Sequence, residues 1–335
     1  MREGESMPKV VRFHQLGGPE ALQFEQQPTH EPKAGEVRLR VQAVGLNRAE
    51  ALYTRGQYLE QPRLPSGIGY EASGIVEAVG PDVERTWIGR PVSTVPGFSM
   101  NDYPVLGEEA IVPADTITSY PQKLSPAEAA AIWMQYLTAW GGLVNIGRIA
   151  KGDFVIISAA SSSVGLAAIQ ITKEEGAIAI VTTRTSKKRD ELRALGADHV
   201  IATAEEDLIA RVQEITGGKG TRVIFDPVAG PFVEQLVGAA AHHGTLIEYG
   251  SLSLQPTPLP LVPMLRKQLT IRGYTLHEVN DNPDLSRRAR EYVFDRIENG
   301  RFTPKISKTF PFAEAVQAYQ YLESNEQIGK VVITL

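Results

Sequence analysis

The 335-residue chain contains no cysteine. Disulfides are therefore impossible, and nothing in the composition marks an oxidising compartment. Metal sites built on thiolates, the soft ligands that suit zinc, are excluded with them. Histidine is scarce: His14, His30, His199, His242, His243 and His277 show no metal-ligand spacing. The adjacent His242 and His243 read most simply as the polar end of a helix. No apolar run approaches the roughly 18 residues that a membrane helix needs. The opening residues, MREGESMPKVVRFHQLGG, hold no apolar core of signal-peptide length, so the expected compartment is the cytoplasm. Met7 reads as an alternative start, with residues 1–6 as an extension. A net charge of -5 offers no basic stripe, so neither nucleic acid nor an anionic membrane is an expected partner.

What is present is the composition of a soluble globular protein, with room for two domains. Residues 9–124 hold short β-like runs (VVRFHQL, EVRLRVQAV, SGIVEAV, RPVSTV, EEAIVP) broken by Gly and Pro, which predicts a β-rich barrel or sandwich. Residues 125–273 alternate instead. SPAEAAAIWMQYLTAWGGLV predicts a helix with Ser125 as N-cap and Pro126 at its first position. Strands DFVIIS, AIAIVTT, HVIA, TRVIFDPV, TLIEYG and LTIRGY then alternate with helices VGLAAIQITKEEG, SKKRDELRALG, EEDLIARVQEITGG and PFVEQLVGAAAHHG. That alternation predicts a doubly wound parallel sheet, an α/β dinucleotide-binding domain over 125–273. Residues 274–335 are expected to fold back onto the first domain, which then comprises 1–124 and 274–335.

The strand DFVIIS runs through AASSSVG into a helix, the context that a dinucleotide fingerprint requires. The G-x-G-x-x-G pattern falls on Ala160, Ser162 and Gly165, so the third glycine alone is kept. Small residues still let the backbone approach a pyrophosphate, and the helix N-terminus supplies N–H donors. Ser161, Ser162, Ser163 and Val164 are therefore candidate phosphate contacts; the alternative is a plain polar turn at a helix N-cap. The second strand ends VTTRTSKK, without the acidic residue that binds the ribose of NAD about 20 residues past the fingerprint. Thr183, Arg184 and Lys188 stand there, and cationic side chains pair with a 2′-phosphate. The expected cofactor is NADPH.

The segments VQAVGLNRAEALYTRGQY, LPSGIGYEASGIVEAVG, LSPAEAAAIWMQYLTAWGGL, the serine-rich loop and SNEQIGKVVITL occur in an order that resembles the medium-chain dehydrogenase/reductase superfamily, in its zinc-independent quinone oxidoreductase (zeta-crystallin-like) branch. The resemblance covers almost the whole chain. It implies a Rossmann domain beside a GroES-like catalytic domain. Where zinc-dependent relatives carry a Cys and a His ligand, this chain has Gly45-Leu46-Asn47 and Gly69-Tyr70-Glu71.

By that resemblance Asn47 positions the cofactor or the substrate carbonyl; the alternative is an N-cap for a helix starting at RAEALY. Tyr58 matches a family tyrosine that polarises the acceptor oxygen, and Tyr53, which precedes it in the same segment, is a further catalytic and substrate-pocket candidate. Thr138 matches a threonine facing the nicotinamide, and Trp133, Gln135 and Tyr136 are candidate substrate-pocket residues; for Trp133 the alternative is core packing. Gly250 and Ser251 follow a strand at the sheet edge where ligands bind. The backbone of Tyr274 and Leu276 is a candidate hold on the carboxamide. Lys330 matches a basic residue near the cofactor, or is a surface charge. The expected reaction is metal-free hydride transfer from NADPH to a quinone or an α,β-unsaturated carbonyl. Alternatives are a zinc-free ketone or aldehyde reductase and a non-enzymatic NADPH-binding, crystallin-like protein. Pairing of an unpaired sheet edge across a two-fold axis makes a homodimer the expected assembly.

Overall fold

Branched apolar runs in the middle of the chain build a parallel sheet. The computed structural model describes residues 7–335, so the reading of residues 1–6 lies outside it. Strands β1 (Phe154–Ile157), β2 (Ile178–Thr183), β3 (His199–Ala202), β4 (Thr221–Asp226), β5 (Ala240–Glu248) and β6 (Thr270–Gly273) pair in the order β3-β2-β1-β4-β5-β6, all parallel. Ile156, Ile180, Ile201, Ile224 and Leu246 from five of these strands meet in one core. Each such side chain contributes about 1.5–3 kcal/mol on full burial. The strand order reverses between β1 and β4, so their carboxyl ends form the switch point at which such sheets take ligands.

Two expected elements come out differently. The run PFVEQLVGAAAHHG is helical only over Phe232–Ala239. Lys267 Nζ donates to the carbonyls of Val237, Gly238 and Ala240 at 3.0, 2.7 and 2.8 Å, which satisfies the helix end. From Ala240 the chain pairs with β4, so His242 and His243 lie in a strand and not at a helix end. His243 has φ 58°, and the register shifts opposite it, between Thr221 and Val223. The expected helix beginning at Ser125 is also divided, into Pro126–Ala129, Trp133–Trp140 and a π-helical turn Gly141–Ile146. Its N-cap forms as read: Ser125 Oγ accepts from Glu128 N at 3.3 Å, and Glu128 Oε2 accepts from Ser125 N at 2.8 Å. At the break the Met134 N–H donates to Glu71 Oε1, outside the helix, at 3.1 Å.

The other β-rich part holds two sheets. Lys9–Phe13 lies between Leu22–Gln26 and Ser66–Gly67. The larger sheet runs Ile306–Pro311, Lys330–Thr334, Glu36–Gly45, Glu71–Val79, Pro91–Thr94, Ile117–Thr118, with Glu109–Pro113 paired onto Glu36–Gly45. Its register sets Gly45 opposite Glu71 on one side and opposite Val332 on the other.

The chain divides into two units: the part up to Met134 with Pro304–Leu335, and Gln135–Thr303. The expected boundaries, 124/125 and 273/274, therefore move. The helix Pro283–Glu298 stays with the nucleotide-type sheet because Tyr292 bonds Glu175 at 2.7 Å and Arg296 pairs with Glu174 at 3.2 Å. The return to the first unit begins at Pro304.

A Cβ at Gly45 would stand 1.8 Å from the Ala130 carbonyl oxygen and 2.8 Å from Lys330 Cε. Gly45→Ala is expected to lose upwards of about 3 kcal/mol in chemical denaturation. Gly273→Ala, where a Cβ meets nothing within 4 Å, is expected to stay within about 0.5 kcal/mol of the parent.

Candidate active site

Three segments of the first unit converge on a buried charge pair. Lys330 Nζ donates to Glu71 Oε2 at 2.7 Å and to Asn47 Oδ1 at 2.6 Å. Both ionic side chains have no exposed surface, so the surface reading of Lys330 is wrong. Asn47 is also the N-cap of the helix Arg48–Tyr53. Its N–H donates to Glu50 Oε2 at 3.0 Å, and its Nδ2 donates to Gly45 O and Glu50 Oε1 at 3.1 and 3.2 Å. Glu50 is fully buried and further accepts from Tyr319 Oη at 2.8 Å and Tyr70 N at 3.2 Å. Burial pushes the Glu50 carboxyl up, against these hydrogen bonds.

The amide of Asn47 is therefore spent on the donor side. Both Nδ2 hydrogens have acceptors, and one lone pair of Oδ1 is left. Asn47 can accept a hydrogen bond but has none to give, which limits the positioning role expected of it to that of an acceptor. Glu50, Glu71 and Tyr319 were not singled out by sequence. The N-x-x-E spacing of Asn47 and Glu50 was a legible signal for a cap. Tyr319 carried none beyond its place on the apolar face of the helix Ala315–Ser324.

The tyrosines separate. Tyr53 is fully enclosed: its hydroxyl bonds Ser66 Oγ at 2.7 Å and Asn101 Oδ1 at 2.8 Å, and its ring meets Phe13 edge-on at 5.7 Å. It is a core residue, which corrects its placement among catalytic and substrate-pocket residues. Tyr58 is half-buried and packs against the same core. Its ring meets that of Tyr70 edge-on at 6.3 Å, and Tyr70 continues onto Phe98 at 5.9 Å. Burial raises both phenols, so both are neutral.

In the other unit the serine turn has two sides. Ser162 caps the helix Ser163–Glu174, its Oγ accepting from Gly165 N at 3.0 Å, so this hydroxyl is used as the polar-turn reading expects. Ser161 Oγ accepts from Lys188 Nζ at 3.1 Å, which brings the basic end of β2 to the turn. A Cβ on Gly165 would lie 2.6 Å from the Ala160 carbonyl oxygen, so the helix can approach the turn this closely at glycine only. Ser163 and Val164 begin the helix, where backbone N–H groups lack partners within it. Thr183 ends β2 and Arg184 follows it, exposed.

The remaining candidates are mixed. Trp133 is enclosed with its Nε1 on Ser93 Oγ at 2.7 Å, and Tyr136 is enclosed with its ring stacked on Phe302 at 5.2 Å and its hydroxyl on Gln170 at 3.0 Å. Both are packing residues, a correction to their place in the substrate pocket. Gln135 and Thr138 are buried, and Gln135 Oε1 has no hydrogen-bond partner. Gly250 and Ser251 are exposed beyond β5. Tyr274 N already donates to Glu248 O at 2.8 Å, and Leu276 O accepts from Val279 N and Asn280 N at 3.0 and 3.1 Å. Those two backbone groups are thus committed, which narrows the expected hold on a carboxamide. Among the described residues, no group of three His, Asp or Glu side chains could hold a metal ion, and no helix is long and apolar enough to cross a membrane.

A second carboxyl cluster closes the switch point. Asp226 and Glu248 end β4 and β5 in register. Asp226 accepts from Ser158 Oγ and, at 2.7 Å, from Ala229 N. Neither buried oxygen of Glu248 has a hydrogen-bond partner. Burial, and then the Asp226 charge, push the Glu248 carboxyl up to about 9. The folded state thus keeps a proton that the unfolded chain releases in the ordinary carboxylate range. This contribution to stability is complete below that range and is lost as pH rises toward 9. Glu248→Gln removes the titration, so its melting temperature is expected to fall less steeply than the parent's between pH 5 and 9 and to lie a few degrees above it at the alkaline end.

Comparison with known proteins agrees with this architecture. Residues 33–122 match the alcohol dehydrogenase GroES-like domain, and residues 163–291 match the zinc-binding dehydrogenase family. A quinone oxidoreductase of Pseudomonas aeruginosa is 32% identical, over 98% of this chain and 99% of that protein. A 2-haloacrylate reductase of a Burkholderia species is 29% identical, with the same two coverages. The crystal structure of Escherichia coli quinone oxidoreductase complexed with NADPH superposes with a TM-score of 0.89 at 29% identity, covering 98% of this chain and all of that one. With a cysteine-free sequence, a GroES-like sheet and a Rossmann sheet in this order, the chain is an oxidoreductase that belongs to the medium-chain dehydrogenase/reductase superfamily, among the relatives of quinone oxidoreductase.

Proposed function

We propose that the protein is a cytoplasmic, NADPH-dependent enzyme that passes hydride to quinones or α,β-unsaturated carbonyls without a metal ion. The observation that carries this reading is the Lys330–Asn47 contact at 2.6 Å. Asn47 lies in the segment where zinc-dependent relatives carry a thiolate, and its oxygen is held by a buried ammonium. A divalent cation there would face that positive charge at close range. The family resemblance supports the same reading, as do relatives named for quinone and haloacrylate reduction.

The serine turn fits a dinucleotide phosphate: Ser161, the first N–H groups at Ser163 and Val164, and the cradle above Gly165 lie together. Lys188, with Thr183 and Arg184, would take the 2′-phosphate. When bound, the reduced nicotinamide supplies the hydride. Asn47 accepts a hydrogen bond from the cofactor's ribose side; in the other unit Gln135 Oε1 is a buried acceptor without a partner, and Thr138 is a buried hydroxyl residue. Tyr58, a neutral phenol, donates to the oxygen on which charge develops. A quinone or enone suits this set because its reduced oxygen is delocalised and needs hydrogen bonds rather than a Lewis acid.

A homodimer accompanies this reading. Edge strand β6 has no outer neighbour among the described strands, and Leu254, Leu259, Leu261, Val262 and Leu265 before it are 81, 63, 54, 57 and 67% exposed. Light scattering on the purified chain is expected to give twice the monomer mass.

Turnover is tested by following NADPH absorbance with a quinone, an enone and a simple ketone, in the presence of chelator. Quinone or enone turnover that survives chelation is expected; preference for the ketone would favour a carbonyl reductase. Tight NADPH binding with no turnover on the panel would favour the crystallin-like reading. Lys188→Ala is expected to raise the KM for NADPH about tenfold, the value of one charge-assisted contact, and to leave the KM for NADH within about twofold.

A further inference from the structure

Resting on that reading, we propose that Asn101 is a positioning residue that clasps the segment carrying Tyr58 and so holds this phenol in place for the reduction. Its side chain is the hub of four hydrogen bonds. Oδ1 accepts from Tyr53 Oη at 2.8 Å and from Arg63 N at 2.6 Å. Nδ2 donates to Glu60 Oε1 at 2.9 Å and to Gln61 O at 3.0 Å. These partners decide which end of the amide is which. A backbone N–H can only donate, and a carboxylate or a carbonyl can only accept. Both lone pairs and both amide hydrogens of Asn101 are thus used.

The four contacts join the chain on either side of Tyr58. Tyr53 ends the helix before it, and Glu60, Gln61 and Arg63 follow it. Glu60 is anchored a second time, accepting from Ser99 Oγ and, at 3.2 Å, from Met100 N. Gln61 Nε2 closes the segment on itself, donating to Gly56 O and Tyr58 O at 3.2 and 3.3 Å. Tyr58 and Glu60 are half-buried, whereas Leu59 between them is 75% exposed. Anchoring Glu60 therefore keeps Tyr58 on the packed side of the segment. The loop that provides the clasp is itself seated in the core. Met100 has no exposed surface, and the Phe98 ring packs on Tyr70 at 5.9 Å, which meets the Tyr58 ring at 6.3 Å. Residues 98–101 thus back the Tyr58 ring through Phe98 and Tyr70 and hold its chain through Asn101. A reacting group misplaced by about 1 Å can lose about 10²-fold in rate, so such a clasp bears on turnover.

The amide is required by chemistry and not by shape alone. Aspartate has the same outline, but it would turn an oxygen toward the Glu60 carboxylate and the Gln61 carbonyl, where Asn101 now supplies both hydrogens. Exchanging the two roles restores a donor: with Glu60→Gln beside Asn101→Asp, the new amide gives its hydrogen to the new carboxylate.

Turnover of a quinone or enone tests the clasp. Asn101→Ala is expected to lower kcat about tenfold and to leave the KM for NADPH within about twofold, since the proposed phosphate contacts lie in the other unit. Asn101→Asp is expected to lose more than Asn101→Ala, and adding Glu60→Gln is expected to recover most of that loss. In a Tyr58→Phe background Asn101→Ala is expected to cost nothing further, because Asn101 acts through Tyr58. Asp102→Ala, which removes the exposed Arg63–Asp102 pair of the same loops, is expected to keep kcat within about twofold. Should Asn101→Ala melt far below the parent, Glu60→Ala opens the clasp from its other side and is expected to show the same loss. Full kcat in the opened clasp, a loss that adds to that of Tyr58→Phe, an equal loss in Asp102→Ala, or no recovery on exchanging the roles overturns the assignment. A parent that turns over no quinone or enone sinks the underlying reading instead, so the two failures are told apart.

Discussion

A fully buried Lys330–Glu71 ion pair fixes the geometry of the first unit. Taking two charges out of water costs several kcal/mol each, and attraction alone rarely returns more than that. Such a pair persists where every remaining polar atom is also satisfied. Glu71 Oε1 accepts from Met134 N, and Lys330 has a second acceptor in Asn47. Deleting one partner would leave a bare buried charge, at a cost of about 3–5 kcal/mol. The pair ties the last strand to one that begins 259 residues earlier, and the same ammonium reaches Asn47, 283 residues earlier. Its value is positional: it sets the Asn47 amide and the break before Trp133 in one arrangement.

That arrangement decides which groups remain for chemistry. With both Nδ2 hydrogens of Asn47 already given to Gly45 and Glu50, hydrogen-bond donation falls to phenols. Tyr53 is spoken for by Ser66 and Asn101, and Tyr319 by Glu50. Tyr58, with a partly exposed ring, is the phenol of this group that can face a ligand. The site is thus one of neutral donors held by a buried charged scaffold. On the proposed reading, such a site suits acceptors that need little help to bear negative charge, in a chain that has no thiolate to bind zinc.

Much of the fold was legible because the parallel sheet writes itself as short apolar runs between turns. All six of its strands were readable, the inner ones because strands buried on both faces have few polar residues to confuse them. The misreadings have a common physical origin. AAAHHG has helical composition, but pairing with β4 and capping by Lys267 convert it to strand. The run after Ser125 has continuous helical character, but it breaks where the Met134 N–H donates to Glu71. For the candidate site, motif position singled out Asn47, Tyr58 and Lys330, two of which the fold joins in one buried cluster. It could not tell enclosed aromatics such as Tyr53, Trp133 and Tyr136 from accessible ones, because burial is a property of the packed whole. Tyr319 escaped for the converse reason: its partner Glu50 is 269 residues away in sequence, and only the fold brings the two together.

The second unit handles charge by the opposite means. The switch point of its sheet carries two carboxyl groups in register, Asp226 and Glu248, at the end where a dinucleotide's phosphates are proposed to bind. Two carboxylates there would oppose an anionic ligand and each other. Burial first, and then the nearby Asp226 charge, push the Glu248 carboxyl up, so Glu248 keeps its proton. Asp226 accepts from Ser158 Oγ and Ala229 N, and Lys188 brings a positive charge to the serine turn. Burial thus keeps one acid neutral in this unit, whereas an ion pair holds Glu71 against Lys330 in the first.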